Sequence, residues 1–321
     1  MKVSLIINTY NRWTYVRTLL KALKKQDYKD FEVILVNGPS TDDTYMVREY
    51  YSTVKYRQIK QRNISISRNA GIEMARGDVI IFIDDDALPC DSRWITRFVE
   101  AFKQDDKLAA LAGPVKVGES ERYEFYRNFS NDYGKEFYIW PHTVDLDENK
   151  ITGRYPFERG QGCNMAFRTN ELLGIGGFDE YFKYFLDETD VFCRLHKKGL
   201  RVKNLTDNFV RHFRGPSTVR GDGHNLKWSR FGRSTSYYGM KNGSDKLPGK
   251  MLKIMKVLKA TKSADLISFY RNKEISFLHL CKYLIKYYGG GGIGIYDSLF
   301  KSRRFLRKNR ILEINAYVRF I

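Results

Sequence analysis

Three consecutive carboxylates, Asp84, Asp85 and Asp86, follow the apolar run VIIFI at residues 79–83. Carboxylates stacked at the end of a buried strand repel one another unless a cation neutralises them or water screens them. A divalent ion that keeps a phosphate among its ligands would relieve the repulsion, because Mg2+ and Mn2+ take oxygen donors and are commonly held by one or two carboxylates. A solvated turn after a strand, which Asp forms readily, is the simpler alternative. His212, in NFVRHF, follows a second short apolar run and offers an imidazole that either ligates or packs. LDETD at 186–190 sets acids at a helix start, where they complement the macrodipole and Asp190 can pair with Arg194; alternatively, Asp187 or Glu188 serves as a general base. NTYNR (8–12) and NGPSTDDT (37–44) bring short polar side chains that either hydrogen-bond a nucleotide or form ordinary turns.

These residues need a frame, and the first half of the chain supplies one. KVSLIIN (2–8), FEVILV (31–36), VKYRQI (54–59) and DVIIFI (78–83) read as strands. Between them lie a helix marked by Trp13, Val16, Leu19, Leu20 and Leu23 and another over 65–77, with a Ser near its start and Gly77 as its stop. Strands alternating with helices imply an α/β fold with a mostly parallel sheet, in which ligands bind beyond the carboxyl ends of the strands. NTYNR, NGPSTDDT and DDDA all fall at such ends and converge on one edge. Further on, GCNMAF (162–167) reads as a strand, GIGGFDEYF (174–182) as a Gly-rich turn and residues 187–199 as a helix with a Gly stop. Residues 123–160, rich in aromatics such as Tyr126, Tyr133 and Trp140 but without a period, suit either an acceptor platform or a loop packed on the sheet.

The chain of 321 residues carries a formal charge of +19, and residues 231–321 hold 19 Lys and Arg against 5 Asp and Glu. A nearly balanced body with a basic tail points to an anionic partner. The expected division is a body over 1–215 and a basic, mainly helical extension over 216–321. Cys90, Cys163, Cys193 and Cys281 form no CxxC or Cys/His cluster, which argues for a reducing compartment and against a zinc module. With no signal-like N-terminus and no run of about 18 apolar residues, the chain is expected to be cytoplasmic or peripheral at the cytoplasmic face of a membrane.

SLIINTYNR, EVILVNGPSTDDT, ISISRNAGIEMARGDVIIFIDDDA, GCNMAFR and DETDVFCRLHKKG occur in the order and spacing of family 2 glycosyltransferases, and residues 1–215 resemble that family. The resemblance implies a GT-A fold, a mostly parallel mixed sheet flanked by helices. It also implies inverting, metal-dependent transfer of a sugar from a nucleoside diphosphate sugar, with Mn2+ or Mg2+ as cofactor. Thr9, Tyr10, Arg12 and Asn37 then fall where the family holds the nucleotide base and ribose, Asn37 replacing the usual Asp. Arg68 falls near the diphosphate, and Gly162 and Asn164 beside the donor sugar and acceptor. Asp84 and Asp86 match the ends of the family's DXD motif, Asp86 as principal metal ligand, Asp84 at the ribose or metal, and Asp85 as the spacer between them. His212 matches a third metal ligand. In DETD the order of the two acids is exchanged relative to the family, so Glu188 takes the place of the usual base and Asp187 remains an alternative.

On a helical wheel, Met251, Ile254, Met255, Val257 and Leu258 share one arc, with Lys253, Lys256 and Lys259 opposite. Residues 250–310 therefore suit an anionic membrane surface or packing on the body, around an expected four-Gly hinge at 289–292. No nucleic-acid module accompanies them. The acceptor class expected is a glycan or lipid-linked acceptor in cell-surface or capsular glycan synthesis. Two other readings compete: a non-catalytic nucleotide-sugar- or glycan-binding protein, and a nucleotidyltransferase, for which the first strand lacks a Gly-rich, basic signature.

Overall fold

The computed structural model describes residues 1–121, 160–215, 226–243, 246–260, 262–303, 305 and 306. Most of the aromatic 123–160 segment lies outside them. The first unit comprises β1 (Val3–Thr9), α1 (Trp13–Leu23), β2 (Phe31–Asn37), a 3-10 turn (Asp43–Met46) leading into α2 (Val47–Tyr50), and β3 (Lys55–Gln58). Next come α3 (Ile64–Met74), β4 (Val79–Asp84), β5 (Ala87–Pro89), α4 (Trp94–Gln104), β6 (Leu108–Ala112) and β7 (Val115–Val117). After the gap follow β8 (Met165–Arg168), α5 (Thr169–Gly174), α6 (Asp187–Lys197), β9 (Arg201–Asn204) and β10 (Val210–His212). The C-terminal region is helical: α7 (Trp228–Asn242), α8 (Leu247–Ala260), α9 (Lys262–Arg271) and α10 (Phe277–Phe300).

The main sheet has the order β3-β2-β1-β4-β8-β6-β9, with β8 antiparallel to both neighbours and the other pairs parallel. Side chains alternate across it as a period of two requires. Ile6, Ile80 and Phe82 enter one core with α3, α5 and α6, while Leu5, Ile7, Ile81 and Ile83 enter the other with α1 and α4. Both faces are thus covered, which explains why β4 reads as an unbroken apolar run.

Several expected boundaries shift for local reasons. The cap of α3 is Asn63, whose side chain accepts hydrogen bonds from the Ser65 and Ile66 amides, so the expected Ser lies in the first turn. The helix ends at Met74, three residues before Gly77. Gly77 is there for close approach: a Cβ would lie 2.6 Å from the Ser4 nitrogen. The strand expected from residue 162 begins at Met165.

The basic helices share the body's core. Tyr237, Tyr238 and Val257 belong to the cluster that contains Ile6 and Phe82. Lys241 of α7 is buried, 2.7 Å from Asp179 and 2.8 Å from Asp190 of α6. In α8, Ile254, Val257 and Leu258 pack inward whereas Met251 and Met255 are exposed, so the expected apolar arc is split. The expected Gly hinge is absent. Residues 289–292 lie inside the continuous 24-residue α10, where Gly290 and Gly294 let its backbone meet that of α7. A Cβ on Gly290 would fall 2.1 Å from the Ser229 carbonyl oxygen, and one on Gly232 of α7 would fall 1.9 Å from that of Tyr287. Gly289 faces open space.

This contrast predicts opposite effects from one substitution at adjacent sites. Gly289→Ala should stabilise the protein by about 1 kcal/mol through helix propensity. Gly290→Ala should destabilise it by roughly 2 kcal/mol, because α7 and α10 must separate. Urea denaturation of both variants checks the pair.

Candidate active site

Sheet register brings the sequence motifs together. Thr9 at the end of β1 pairs with Asn37 at the end of β2, and Asn8 pairs with Asp84 at the end of β4. The small sheet β5-β10-β7 then delivers His212, because β10 runs antiparallel to β5 with His212 opposite Ala87. His212 therefore arrives beside Asp86 through backbone pairing, 126 residues along the chain.

Ligand atoms of Asp84, Asp86 and His212 lie within 4.8 Å of one another. His212 Nε2 is 3.0 Å from Asp86 Oδ1. The other oxygen of Asp86, Oδ2, accepts hydrogen bonds from the Gly215 amide (2.7 Å) and from Arg12 (2.8 Å). The two oxygens of Asp86 thus serve different ends, Oδ2 being fixed by the protein while Oδ1 faces the cluster. Asp84 opens to solvent, its side chain 31% exposed, whereas Asp86 is only 4% exposed. Two carboxylates and an imidazole so placed could hold a divalent metal ion.

Asp85 is more than a spacer. It is buried, and its oxygens accept from Thr9 Oγ1 (2.7 Å) and from Arg12 (2.7 Å). Arg12, which also donates to the Gly215 carbonyl, joins the β1 end, two of the three Asp residues and the chain after β10. Thr9 and Arg12, expected at the nucleotide, are committed to this scaffold. Burial works against ionisation of all three acids. Asp86 nonetheless stays at about 2, since His212, Arg12 and the Gly215 N–H outweigh it. Asp85 is raised, because burial exceeds the help of Arg12 and Thr9. Asp84, only partly open to solvent, is raised because the surrounding protein desolvates much of its carboxylate, with Arg68 offsetting part of the effect and the charge of Asp86 adding to it.

Arg68 lies beneath the site rather than at its surface. Its buried guanidinium pairs with Asp187 at the start of α6 and stands 4.0 Å from Asp84. Gly162 makes room for it: a Cβ there would fall 2.0 Å from an Arg68 terminal nitrogen. Burial, with Glu188 adjacent, holds the Asp187 carboxyl well above the usual carboxylate range although Arg68 opposes this. Of the two acids, Asp187 is buried against Arg68 and Glu188 is half-buried. Phe185 and Leu186 both adopt positive φ, 75° and 67°, immediately before α6. Such angles are rare for bulky residues and occur where surrounding structure enforces a sharp turn. Here the turn delivers the two acids to the sheet edge.

Other candidates are placed differently. Asn164 is fully buried, its amide accepting from Trp94 Nε1 and donating to the Pro114 and Asn208 carbonyls, so it ties loops together rather than facing a ligand. Asn37 is also buried, donating to the Tyr56 hydroxyl and accepting from Ser40. Tyr10 stays half-exposed, with the Arg62 guanidinium 4.0 Å from its ring centroid. Arg62, Gly215 and Tyr56 carried no signal in the sequence, since each acts through a contact distant along the chain.

The profile described as "Glycosyl transferase family 2" matches residues 4–169. The chain belongs to that family. The chain is 24% identical over 273 residues to the chondroitin synthase of Escherichia coli, covering 74% of this chain and 39% of that one. It spans 26%, 39% and 56% of the lengths of three curated relatives that it matches. Among solved structures, it is similar to Staphylococcus aureus TarS 1–349 in complex with UDP-GlcNAc, with a TM-score of 0.61, 19% identity and coverage of 90% and 79% of the two chains. It is also similar to the mannosyltransferase PcManGT of Pyrobaculum calidifontis in complex with GDP-Man and Mn2+, with a TM-score of 0.54, 16% identity and coverage of 94% and 88%. The chain accordingly has the GT-A fold, a mostly parallel mixed sheet flanked by helices.

The fit between Gly162 and Arg68 is open to a direct check. Gly162→Ala should expel the guanidinium and leave Asp187 buried without its cation, lowering stability by about 3 kcal/mol in denaturant titration.

Proposed function

We propose that this glycosyltransferase moves a sugar from a nucleoside diphosphate sugar to an acceptor hydroxyl with inversion at the anomeric carbon, using Mn2+ or Mg2+ at Asp84, Asp86 and His212. The observation that carries the reading is the convergence of those three side chains, which Arg68 links to Asp187 at the start of α6, with Glu188 the next residue. A divalent ion there, when bound, would supply positive charge against the charge growing on the leaving diphosphate.

The chain's own residues account for the other steps. Glu188, the more accessible acid, takes the proton from the acceptor hydroxyl as it attacks the face opposite the leaving group. Asp187 and Arg68 hold the start of α6 in place behind it. Arg12 and the Gly215 amide fix Oδ2 of Asp86 and leave Oδ1 on the side of His212, where the two residues would hold the ion. Tyr10, with Arg62 at its ring, offers a flat surface on which a nucleobase can stack. Holding donor and acceptor in line supplies much of the rest of the acceleration. Similarity to the E. coli chondroitin synthase supports a role in building a glycan; a cell-surface or capsular glycan made on a glycan or lipid-linked acceptor is the product we propose.

Thermal shift across a panel of nucleoside diphosphate sugars with Mn2+ identifies the donor, since a ligand at about 100 times its Kd adds about 2.7 kcal/mol to stability. With that donor, Asp86→Ala and EDTA should each reduce transfer at least ~100-fold, a loss of about 2.7 kcal/mol in transition-state stabilisation. Glu188→Gln should reduce kcat similarly while leaving the donor-induced shift intact. Full transfer by Asp86→Ala would overturn the metal assignment, and full transfer by Glu188→Gln would move the base to Asp187.

A further inference from the structure

Helix α10 has two contrasting faces. One, carrying Tyr287, Gly290, Gly291 and Gly294, is buried against α7 and the adjoining helices. On the other, Leu278 (77%), Ile285 (73%), Ile293 (50%), Tyr296 (58%), Leu299 (50%) and Phe300 (70%) are exposed. At about 100° per residue these six fall within an arc of about 120°. They run nearly the whole helix, about 33 Å at 1.5 Å per residue. Monomeric proteins rarely expose so continuous an apolar strip without a use for it.

We propose that this face of α10 docks on an anionic phospholipid surface. Charge decides the occupant. The exposed side of the helix carries Lys282 within the apolar arc and Lys286 at its edge, both exposed. The one acidic residue of α10, Asp297, flanks the strip but is buried, its carboxylate 2.5 Å from Arg233 and 2.7 Å from Lys301. The strip thus joins apolar side chains to positive charge alone, the combination that binds a lipid interface. The lysine stems can lie along the apolar strip while their ammonium groups reach the phosphates. A second copy of the chain is a poorer partner, because pairing two such strips would gather four lysines and no exposed carboxylate of α10 in one contact. At the N-terminal end the strip continues onto α9, where the exposed Tyr270 ring lies 5.9 Å from that of Phe277. No described helix is long and apolar enough to cross a membrane, so the geometry is that of a helix lying on the surface. The surface differs from the one expected on α8, whose best apolar residues are spent in the core.

Flotation of the full chain on vesicles of pure phosphatidylcholine, and of phosphatidylcholine with about 30 mol% phosphatidylglycerol so that basic residues meet an anionic surface, tests the proposal. The wild type should float at least tenfold better with the anionic vesicles. Ile285→Ser/Ile293→Ser/Phe300→Ser and Lys282→Glu/Lys286→Glu should each lose at least tenfold, with an unchanged Tm and unchanged donor-induced thermal shift. Failure of the wild type to float would overturn the proposal. So would equal flotation of the folded serine variant, which would move binding to other basic segments. Sedimentation showing a dimer that only the serine variant dissociates would give the face to a second copy, again against the proposal.

Discussion

Carboxylates crowded at the end of a buried strand cannot all remain charged without cations held close by, and this constraint shapes the edge around Asp84. Asp84, Asp85, Asp86 and Asp187 gather where burial opposes their ionisation. Two arginines answer it from different directions. Arg12 comes from the β1 end and spans Asp85 and Asp86, and Arg68 comes from α3 between Asp84 and Asp187. Removing either guanidinium would leave acids unpaired in a poorly solvated place, which is among the costliest changes a protein can suffer.

The two arginines leave a specific remainder. Arg12 and the Gly215 amide saturate one oxygen of Asp86, while the other points at His212, with Asp84 close by and open to solvent. Structural charge pairing and the candidate ligand cluster are therefore separate uses of the same carboxylates. The supporting elements follow from this division. The β5–β10 pairing exists beside the main sheet and carries His212 to Asp86. The left-handed pair Phe185 and Leu186 bends the chain so that α6 starts with its acids at the same edge. Lys241, between Asp179 and Asp190, fastens α6 to α7, so the C-terminal helices are tied to the element bearing Glu188.

Much of this was legible in the sequence because it depends on local pattern. The runs at 2–8, 31–36 and 78–83 are readable as strands, their polar ends as one edge, and the ordered motifs as those of family 2 glycosyltransferases. What could not be read depends on contacts between distant segments. Asp85 looked like a spacer because nothing local reveals that Thr9 and Arg12 converge on it. Asn164 looked like a ligand-facing amide, yet Trp94, Pro114 and Asn208 consume its hydrogen bonds. The Gly run at 289–292 reads as a hinge because glycine is flexible in isolation; within it Gly290, packed against Ser229, is a condition for two helices to touch. The amphipathic wheel of α8 was real, but burial of Ile254, Val257 and Leu258 used part of its apolar arc and left α10 with the longer exposed strip.

The proposed chemistry requires Asp84, Asp86 and His212 to act as one divalent-cation site. Pulsed electron paramagnetic resonance of the Mn2+-loaded protein tests this most directly. Nitrogen coupling from an imidazole is expected in the wild type, with its loss in His212→Ala and loss of bound Mn2+ in Asp86→Ala. Mn2+ bound without nitrogen coupling, or retained undiminished in Asp86→Ala, would contradict the assignment.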